Sequence, residues 1–286
     1  MREKLSIILP AKNEAAALAI LLPELRSVMP DAEIIVVNDG STDDTVAVCN
    51  NNQVQVVTHP SSKGNGAAIK TGSRAATGDT LVFMDADGQH KPEDIPRLLQ
   101  TLRQGFDMVV GARTRKSQAG AHRAVANGFY NRLASWMVDQ KVNDLTSGFR
   151  VVTASKFRQF LYLLPNGFSY PTTITMSFFR AGYGVAYVSI EAPKRIGMSH
   201  ISPLKDGFRF LLIIFKIGTL YSPLKLFLPI SLSFFLTGVG YYLYTFLSFH
   251  RFTNMSALMF LSSIFVFLIG LVSEQITALN YKDSNH

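Results

Sequence analysis

Short apolar runs recur along the first two thirds of the chain, each closed by a cluster of polar and small residues. Leu5-Ser6-Ile7-Ile8-Leu9, Ile34 to Val37, Val54 to Val57, Leu81-Val82-Phe83-Met84 and Met108-Val109-Val110 read as strands buried on both faces. Helical spacing fills the intervals. One helix opens at Asn13-Glu14 and runs to about Val28. Another follows the polar turn Asn38-Asp39-Gly40-Ser41-Thr42-Asp43-Asp44, which carries N-cap residues. A third opens in Lys63-Gly64-Asn65-Gly66-Ala67-Ala68, and a fourth at Pro92-Glu93-Asp94. Strands alternating with helices predict βαβ units, an α/β fold and a mostly parallel sheet. Further on, the pattern predicts a helix over Ala121 to Val138, a polar loop over Asp144 to Arg150 and a short strand at Val151-Val152. A helix over Pro171 to Ala181 and a strand over Val185 to Ile190 complete this part.

Beyond Glu191 the pattern changes. Lys194, Arg195, Lys205, Arg209, Lys216 and Lys225 are balanced only by Asp206. Phe208 to Tyr221 is apolar but broken by Arg209 and Lys216, which suits a helix in a membrane interface with its cations reaching headgroups. Leu226 to Phe249 and Phe252 to Ser273 then run without charge for about 24 and 22 residues, where about 20 suffice to cross the hydrocarbon. With His250-Arg251 between them they predict a transmembrane hairpin. A buried helical pair in a soluble core is the plainer alternative. The chain thus divides into residues 1–200, an interfacial region over 201–225, and a hairpin with a short tail over 226–286. The basic flank before the first span predicts that the first part and the tail from Glu274 are cytoplasmic, on an inner membrane.

Composition agrees. Of 286 residues 48% are hydrophobic, and the formal net charge of +8 calls for an anionic partner. Cys49 is the single cysteine, so an internal disulfide and a cysteine zinc site are excluded, and its setting predicts a core residue. Met1 to Lys4 leads directly into a strand, so no signal peptide is expected ahead of the fold. The basic residues crowd the membrane end with little aromatic interleaving, which argues against nucleic acid as the partner.

The candidate chemistry lies just after the strands, on the rim where open α/β sheets bind ligands. Asp85-Ala86-Asp87-Gly88-Gln89-His90 offers hard oxygen donors that suit Mg²⁺ or Mn²⁺ with substrate phosphates. Taken alone, an Asp-x-Asp is more often an ordinary acidic turn.

In company with Pro10-Ala11-Lys12-Asn13-Glu14, Asn38-Asp39-Gly40-Ser41-Thr42-Asp43, Lys63-Gly64-Asn65-Gly66 and Thr146-Ser147-Gly148-Phe149-Arg150, it resembles glycosyltransferase family 2. Within that family the resemblance is to enzymes acting on dolichyl or undecaprenyl phosphate. It implies a Rossmann-like GT-A fold, Mg²⁺ or Mn²⁺ as cofactor, and inverting transfer of one sugar from a UDP- or GDP-linked donor to a polyprenyl phosphate. By the same resemblance Pro10, Ala11, Asn13, Glu14, Asp39 and Gly64, with Asp85, Ala86 and Asp87, would hold the nucleotide. Asp85, Asp87 and Gln89 would hold the metal. Arg113, Arg123, Ser147, Arg150, Arg195 and Ser199 would gather the acceptor phosphate, His200 standing where the family usually has lysine. For Asn13-Glu14 a helix start, for Asp39 a turn and for Arg123 and Arg150 a solvated surface role stay open.

A sugar hydroxyl acceptor needs a general base, whereas a lipid monophosphate is largely dianionic near neutral pH, its second pKa being about 6. A single in-line displacement without a base is therefore expected, Asp144 being the reserve for a base or else a cap. A polysaccharide synthase would usually show Gln-x-x-Arg-Trp, but the only tryptophan is Trp136 in Ser135-Trp136-Met137. A non-catalytic membrane scaffold is the reading from another class. Self-association suits so short an anchor.

Overall fold

The structure is a computed structural model that describes residues 4–113, 121–167, 169–191, 212–213, 215–216, 218–219 and 222–283. It divides into two compact units, residues 1–213 and 214–286.

In the first unit seven strands form one sheet: β1 (Leu5–Ala11), β2 (Glu33–Asn38), β3 (Gln55–Thr58), β4 (Thr80–Phe83), β5 (Met108–Arg113), β6 (Arg150–Thr153) and β7 (Val185–Ile190). Their spatial order is β3-β2-β1-β4-β6-β5-β7. All pairings are parallel except those of β6, which lies antiparallel between β4 and β5. The helices are α1 (Ala15–Val28), α2 (Thr45–Asn51), α3 (Asn65–Ala75), α4 (Ile95–Leu102), α5 (Ala121–Val138), α6 (Ala154–Arg158) and α7 (Tyr170–Arg180).

The unbroken apolar runs have their explanation in the two cores. Ile7, Leu9, Ile34, Val36, Val82 and Val151 face one core with α1 and α4. Ile8, Ile35, Val37, Leu81, Phe83 and Val152 face the other with α3, α6 and α7. Consecutive side chains point to opposite faces, so a strand covered on both sides must be apolar throughout. Cys49 is a core residue with no exposure, and burial pushes its thiol up to about 11. β1 runs past the apolar run Leu5 to Leu9 as far as Ala11, so Pro10 lies within it. It sits past the last β1 residue paired with β4, where a missing N–H breaks no ladder bond. The short helix α6 was not apparent in the sequence.

In the second unit α8 (Pro223–Phe249) and α9 (Asn254–Asp283) form an antiparallel hairpin. Both are long and apolar enough to cross a membrane, over Pro223–Phe249 and Asn254–Thr277. Ser231 and Ser263 exchange hydrogen bonds, each hydroxyl donating to the other's carbonyl at 2.8 and 2.9 Å. The Leu224 amide at the start of α8 donates to the Glu274 carboxylate. The tail expected from Glu274 is thus a continuation of α9 as far as Asp283. Of the expected interfacial helix, residues 212, 213, 215, 216, 218 and 219 are helical; the remainder lies outside the described residues.

Candidate active site

The motifs converge at the carboxyl ends of the strands. Pro10, Ala11, Glu14, Asp39, Gly64, Asp85, Ala86, Asp87, Gln89 and Arg113 line one cavity of about 400 Å³. Two larger hollows, about 820 and 580 Å³, lie beside Val28; the first sits at the opposite ends of the strands and the second against the outer side of the Gly88–Glu93 turn. Neither gathers the motifs. Asp144, Ser147 and Arg150 are buried outside its lining, and Asn13, which is exposed, does not line it either.

The loops after β1 and β2 clamp each other. Asn13 has a positive φ of 56°, which asparagine tolerates better than most residues. Its side-chain oxygen accepts from the Thr42 amide at 2.8 Å, and its own amide donates to Ser41 Oγ. The first amides of α1 are capped by the other loop: Glu14 N–H by Thr45 Oγ1 and Ala15 N–H by Asp43. The cap for this helix therefore comes from residues 28 and 31 positions away, which local sequence rules do not register.

Asp39 is buried, and both oxygens are fully committed. Oδ1 accepts from His59 Nδ1 at 2.7 Å and Lys63 N–H at 2.8 Å; Oδ2 accepts from Ser62 Oγ and Gly64 N–H, both at 2.8 Å. Burial pushes this carboxyl up, but the four donors outweigh it and hold it at about 2. Asp39 thus fixes the glycine-rich turn that opens α3. Gly64 has φ 98°, and a Cβ there would lie 2.7 Å from the Asn166 carbonyl oxygen. The close approach that demands glycine is made by the chain's own loop at 165–167. That loop brings Gly167, Ser169, Tyr170 and Pro171 into the cavity wall, and no spacing in the sequence ties them to the motifs. Tyr170 donates to the Gly148 carbonyl at 2.9 Å.

At the end of β4, Asp85 and Asp87 flank the turn with Gln89. The Asp85 carboxylate lies against Gly148, where a Cβ would meet Oδ2 at 2.6 Å. Asp87 is 8% exposed and accepts from the Gln89 amide at 3.1 Å. His90 accepts the Asp85 N–H on Nδ1 and stacks on Phe149 at 5.0 Å. Burial lowers its pKa to about 4 against the pull of Asp87, so the ring is neutral and braces the turn. Among the described residues no three His, Cys, Asp or Glu side chains are grouped to hold a metal. Two carboxylates and the Gln89 amide oxygen could hold a hard divalent cation only with oxygens from water or a diphosphate, the usual state for Mg²⁺.

Arg113, at the end of β5, is paired bidentately with Asp144: Nε to Oδ2 at 2.9 Å and Nη2 to Oδ1 at 3.0 Å. Asp144 also accepts from the amides of Arg113, Thr146 and Ser147 and from the Thr146 hydroxyl. Burial raises the Asp144 carboxyl, but Arg113 and these amides bring it below the ordinary carboxylate range. Such a group is a poor proton acceptor near neutral pH. It organises the loop and orients Arg113.

Two residues expected at the acceptor phosphate are placed elsewhere. Ser147 is buried and donates to the Gly111 carbonyl at 2.6 Å. Arg150 is wholly buried, so it is neither a cavity residue nor a solvated one. Its Nε donates to the Ser147 carbonyl at 2.8 Å and its Nη1 to Thr175 Oγ1 at 2.6 Å, with the guanidinium 5.9 Å from the Tyr170 ring centre. As the first residue of β6, opposite Phe83 and Val110, it faces the interior. The side chain of Arg123, and Arg195 and Ser199 altogether, lie outside the described residues.

Comparison with known proteins agrees with this geometry. Residues 6–161 match the family described as Glycosyl transferase family 2, and residues 222–279 match the GtrB C-terminal hairpin. The chain is 29% identical to an undecaprenyl-phosphate mannosyltransferase of Micrococcus luteus, over 68% of this chain and 86% of that one. It is 27% identical to the polyprenol monophosphomannose synthase of Mycolicibacterium smegmatis, over 68% and 80%. Among solved structures, glucosyl-3-phosphoglycerate synthase of Mycobacterium tuberculosis, in complex with Mn²⁺, UDP and glucosyl-3-phosphoglycerate, superposes with a TM-score of 0.63. That match is 20% identical and covers 76% of this chain and 80% of that one.

Proposed function

The chain belongs to glycosyl transferase family 2, and from that premise we propose that it transfers one sugar from a nucleotide-diphosphate donor to a polyprenyl phosphate at the cytoplasmic face of a membrane. Relatives named for transfer to undecaprenyl phosphate and polyprenol support the acceptor class. The observation that carries the reading is the commitment of Asp144 to six hydrogen bonds beside a cavity bearing Asp85, Asp87 and Arg113. A hydroxyl acceptor needs a carboxylate free to act as a base, and Asp144, the reserve for that role, is already committed. A phosphate dianion needs no base.

Pro10, Ala11, Glu14 and the turn fixed by Asp39 and Gly64 form the nucleotide end of the cavity. Asp85, Asp87 and Gln89 present oxygen donors fitted to Mg²⁺ or Mn²⁺, which when bound would offset charge on the departing diphosphate. Arg113, whose Nε and Nη2 are held by Asp144, steadies the incoming phosphate as a fixed, permanently charged guanidinium. Arg123, Arg195 and Ser199 complete the acceptor end in this reading. Because no proton leaves the attacking oxygen, alignment and charge compensation supply the catalysis, and the sugar is transferred with inversion. The hairpin keeps the enzyme where its acceptor is, since each CH₂ drawn from the bilayer costs about 0.8 kcal/mol.

The test is incubation of membranes containing the protein with labelled UDP- and GDP-sugars and undecaprenyl phosphate, with and without EDTA. Label extractable into organic solvent from one donor, and lost with chelator, is expected. Label in a hydroxyl-linked glycan instead would overturn the acceptor class.

A further inference from the structure

The helix α5 has two unlike faces. Ala134, Met137 and Val138 are buried, while Asn131 and Ser135 hold the loop that carries Asp144. Asn131 donates to the Asn143 carbonyl at 2.7 Å and accepts from Leu145 N–H at 3.0 Å; Ser135 Oγ accepts from Val142 N–H at 2.9 Å. The opposite face shows Phe129 at 56% exposure and Trp136 at 46%, with Arg132 exposed between them. These three are spaced i, i+3, i+7, a single stripe. From Met108 to Val138 the sequence contains no acidic residue but five cations: Arg113, Arg115, Lys116, Arg123 and Arg132. Asp139 follows only at the end of the helix.

An exposed large aromatic pair is expensive to leave in water, and a tryptophan with a neighbouring arginine is the side-chain chemistry of the headgroup layer. There an indole rests at the boundary and a guanidinium reaches phosphates. A protein partner would suit the aromatic side chains equally, but 31 residues without one acidic side chain match an anionic lipid surface. We propose that the Phe129–Arg132–Trp136 face of α5 lies against the headgroup layer of an anionic membrane. The catalytic unit then meets the bilayer directly rather than only through its hairpin. Because the inner face of α5 holds the Asp144 loop, this contact sets the height of the acceptor end of the cavity above the lipid. The inference rests on the membrane part of the proposed function and not on its chemistry.

Trp136 is the only tryptophan, so intrinsic fluorescence reports this face alone. The full chain is reconstituted in nanodiscs of phosphatidylglycerol whose acyl chains carry bromines near the headgroup end, and in unbrominated discs. Expected are a loss of emission in the brominated discs and protection from acrylamide relative to detergent, both reduced in phosphatidylcholine. The double variant Phe129→Asp with Arg132→Glu should stay folded, retain its hairpin in the disc and lose the bromine quenching. Equal emission in both discs with undiminished acrylamide quenching overturns the proposal, as does quenching that survives in the double variant. Protection from acrylamide without bromine quenching overturns it too, since protein would then cover the face. Sugar transfer to lipid phosphate is assayed on the same discs: transfer without quenching removes this inference and leaves the function, and quenching without transfer does the reverse.

Discussion

At the scale of single residues, two positions separate contact with substrate from support behind it. Gly148 leaves room for the Asp85 carboxylate, and a methyl group at that point would stand 2.6 Å from Oδ2. Gly148→Ala should keep the fold, by circular dichroism and thermal midpoint, yet weaken divalent-ion binding about 10–100-fold, as loss of an outer support does. An unchanged metal titration would show that Asp85 holds no metal. Arg150 is the converse case. Arg150→Met removes its bonds to Ser147 and Thr175; Thr175 keeps its bond to the Pro171 carbonyl, but the buried Ser147 carbonyl loses its donor, at a cost of about 1–3 kcal/mol in stability. Its KM for the lipid acceptor should stay at the wild-type value, because the side chain never reaches the cavity. A selective rise in that KM would return Arg150 to the phosphate site.

Among elements, the loop between α5 and β6 carries the mechanistic distinction. Asp144 joins it to the end of β5 through Arg113. Asp144→Asn keeps the size but weakens the charge-assisted grip on the guanidinium, so turnover should fall with a raised acceptor KM. The pH–rate profile is the discriminating measurement. If Asp144 only orients Arg113, the variant and the wild type keep the same shape from about pH 6 to 9. Loss of an ascending limb in the variant would make Asp144 the base and remove the base-free mechanism. The glycine-rich start of α3 has the same logic. Its glycines are fitted to the 165–167 loop, with a Cβ at Gly66 reaching within 2.0 Å of the Pro165 carbonyl oxygen.

For the whole molecule, acid stability follows from Asp39. Its folded pKa of about 2 lies below the unfolded value of 3.8, so ionised Asp39 favours the folded state. That contribution is fully present above the unfolded value and is lost as pH falls from about 4 towards 2, a difference of about 2 kcal/mol. Asp39→Asn should therefore melt well below the wild type at pH 7, with the gap narrowing as the pH falls towards 3. A gap independent of pH would mean that the four donors hold the loop without regard to charge. Two buried cores support the catalytic sheet, and a helical hairpin long and apolar enough to cross a membrane packs as a unit of its own.

The sequence by itself determined most of the elements, though not the short α6, and the rim. Unbroken apolar runs such as Ile34 to Val37 can be stable only as strands covered on both faces, and two long uncharged runs suit only helices in an apolar medium. The motifs fell after strands because polar loops must close such runs. Pairing, however, depends on which groups meet across long separations, and local pattern is silent about that. Only the tertiary structure showed β6 running antiparallel between β4 and β5, which turns Arg150 inward. It also committed Asp144 to Arg113, capped α1 with Asp43 and Thr45, and brought Tyr170 against Gly148. A carboxylate or a guanidinium reads alike in sequence whether its lone pairs or protons face solvent or are already used. The number of partners each finds is fixed only when the chain is folded.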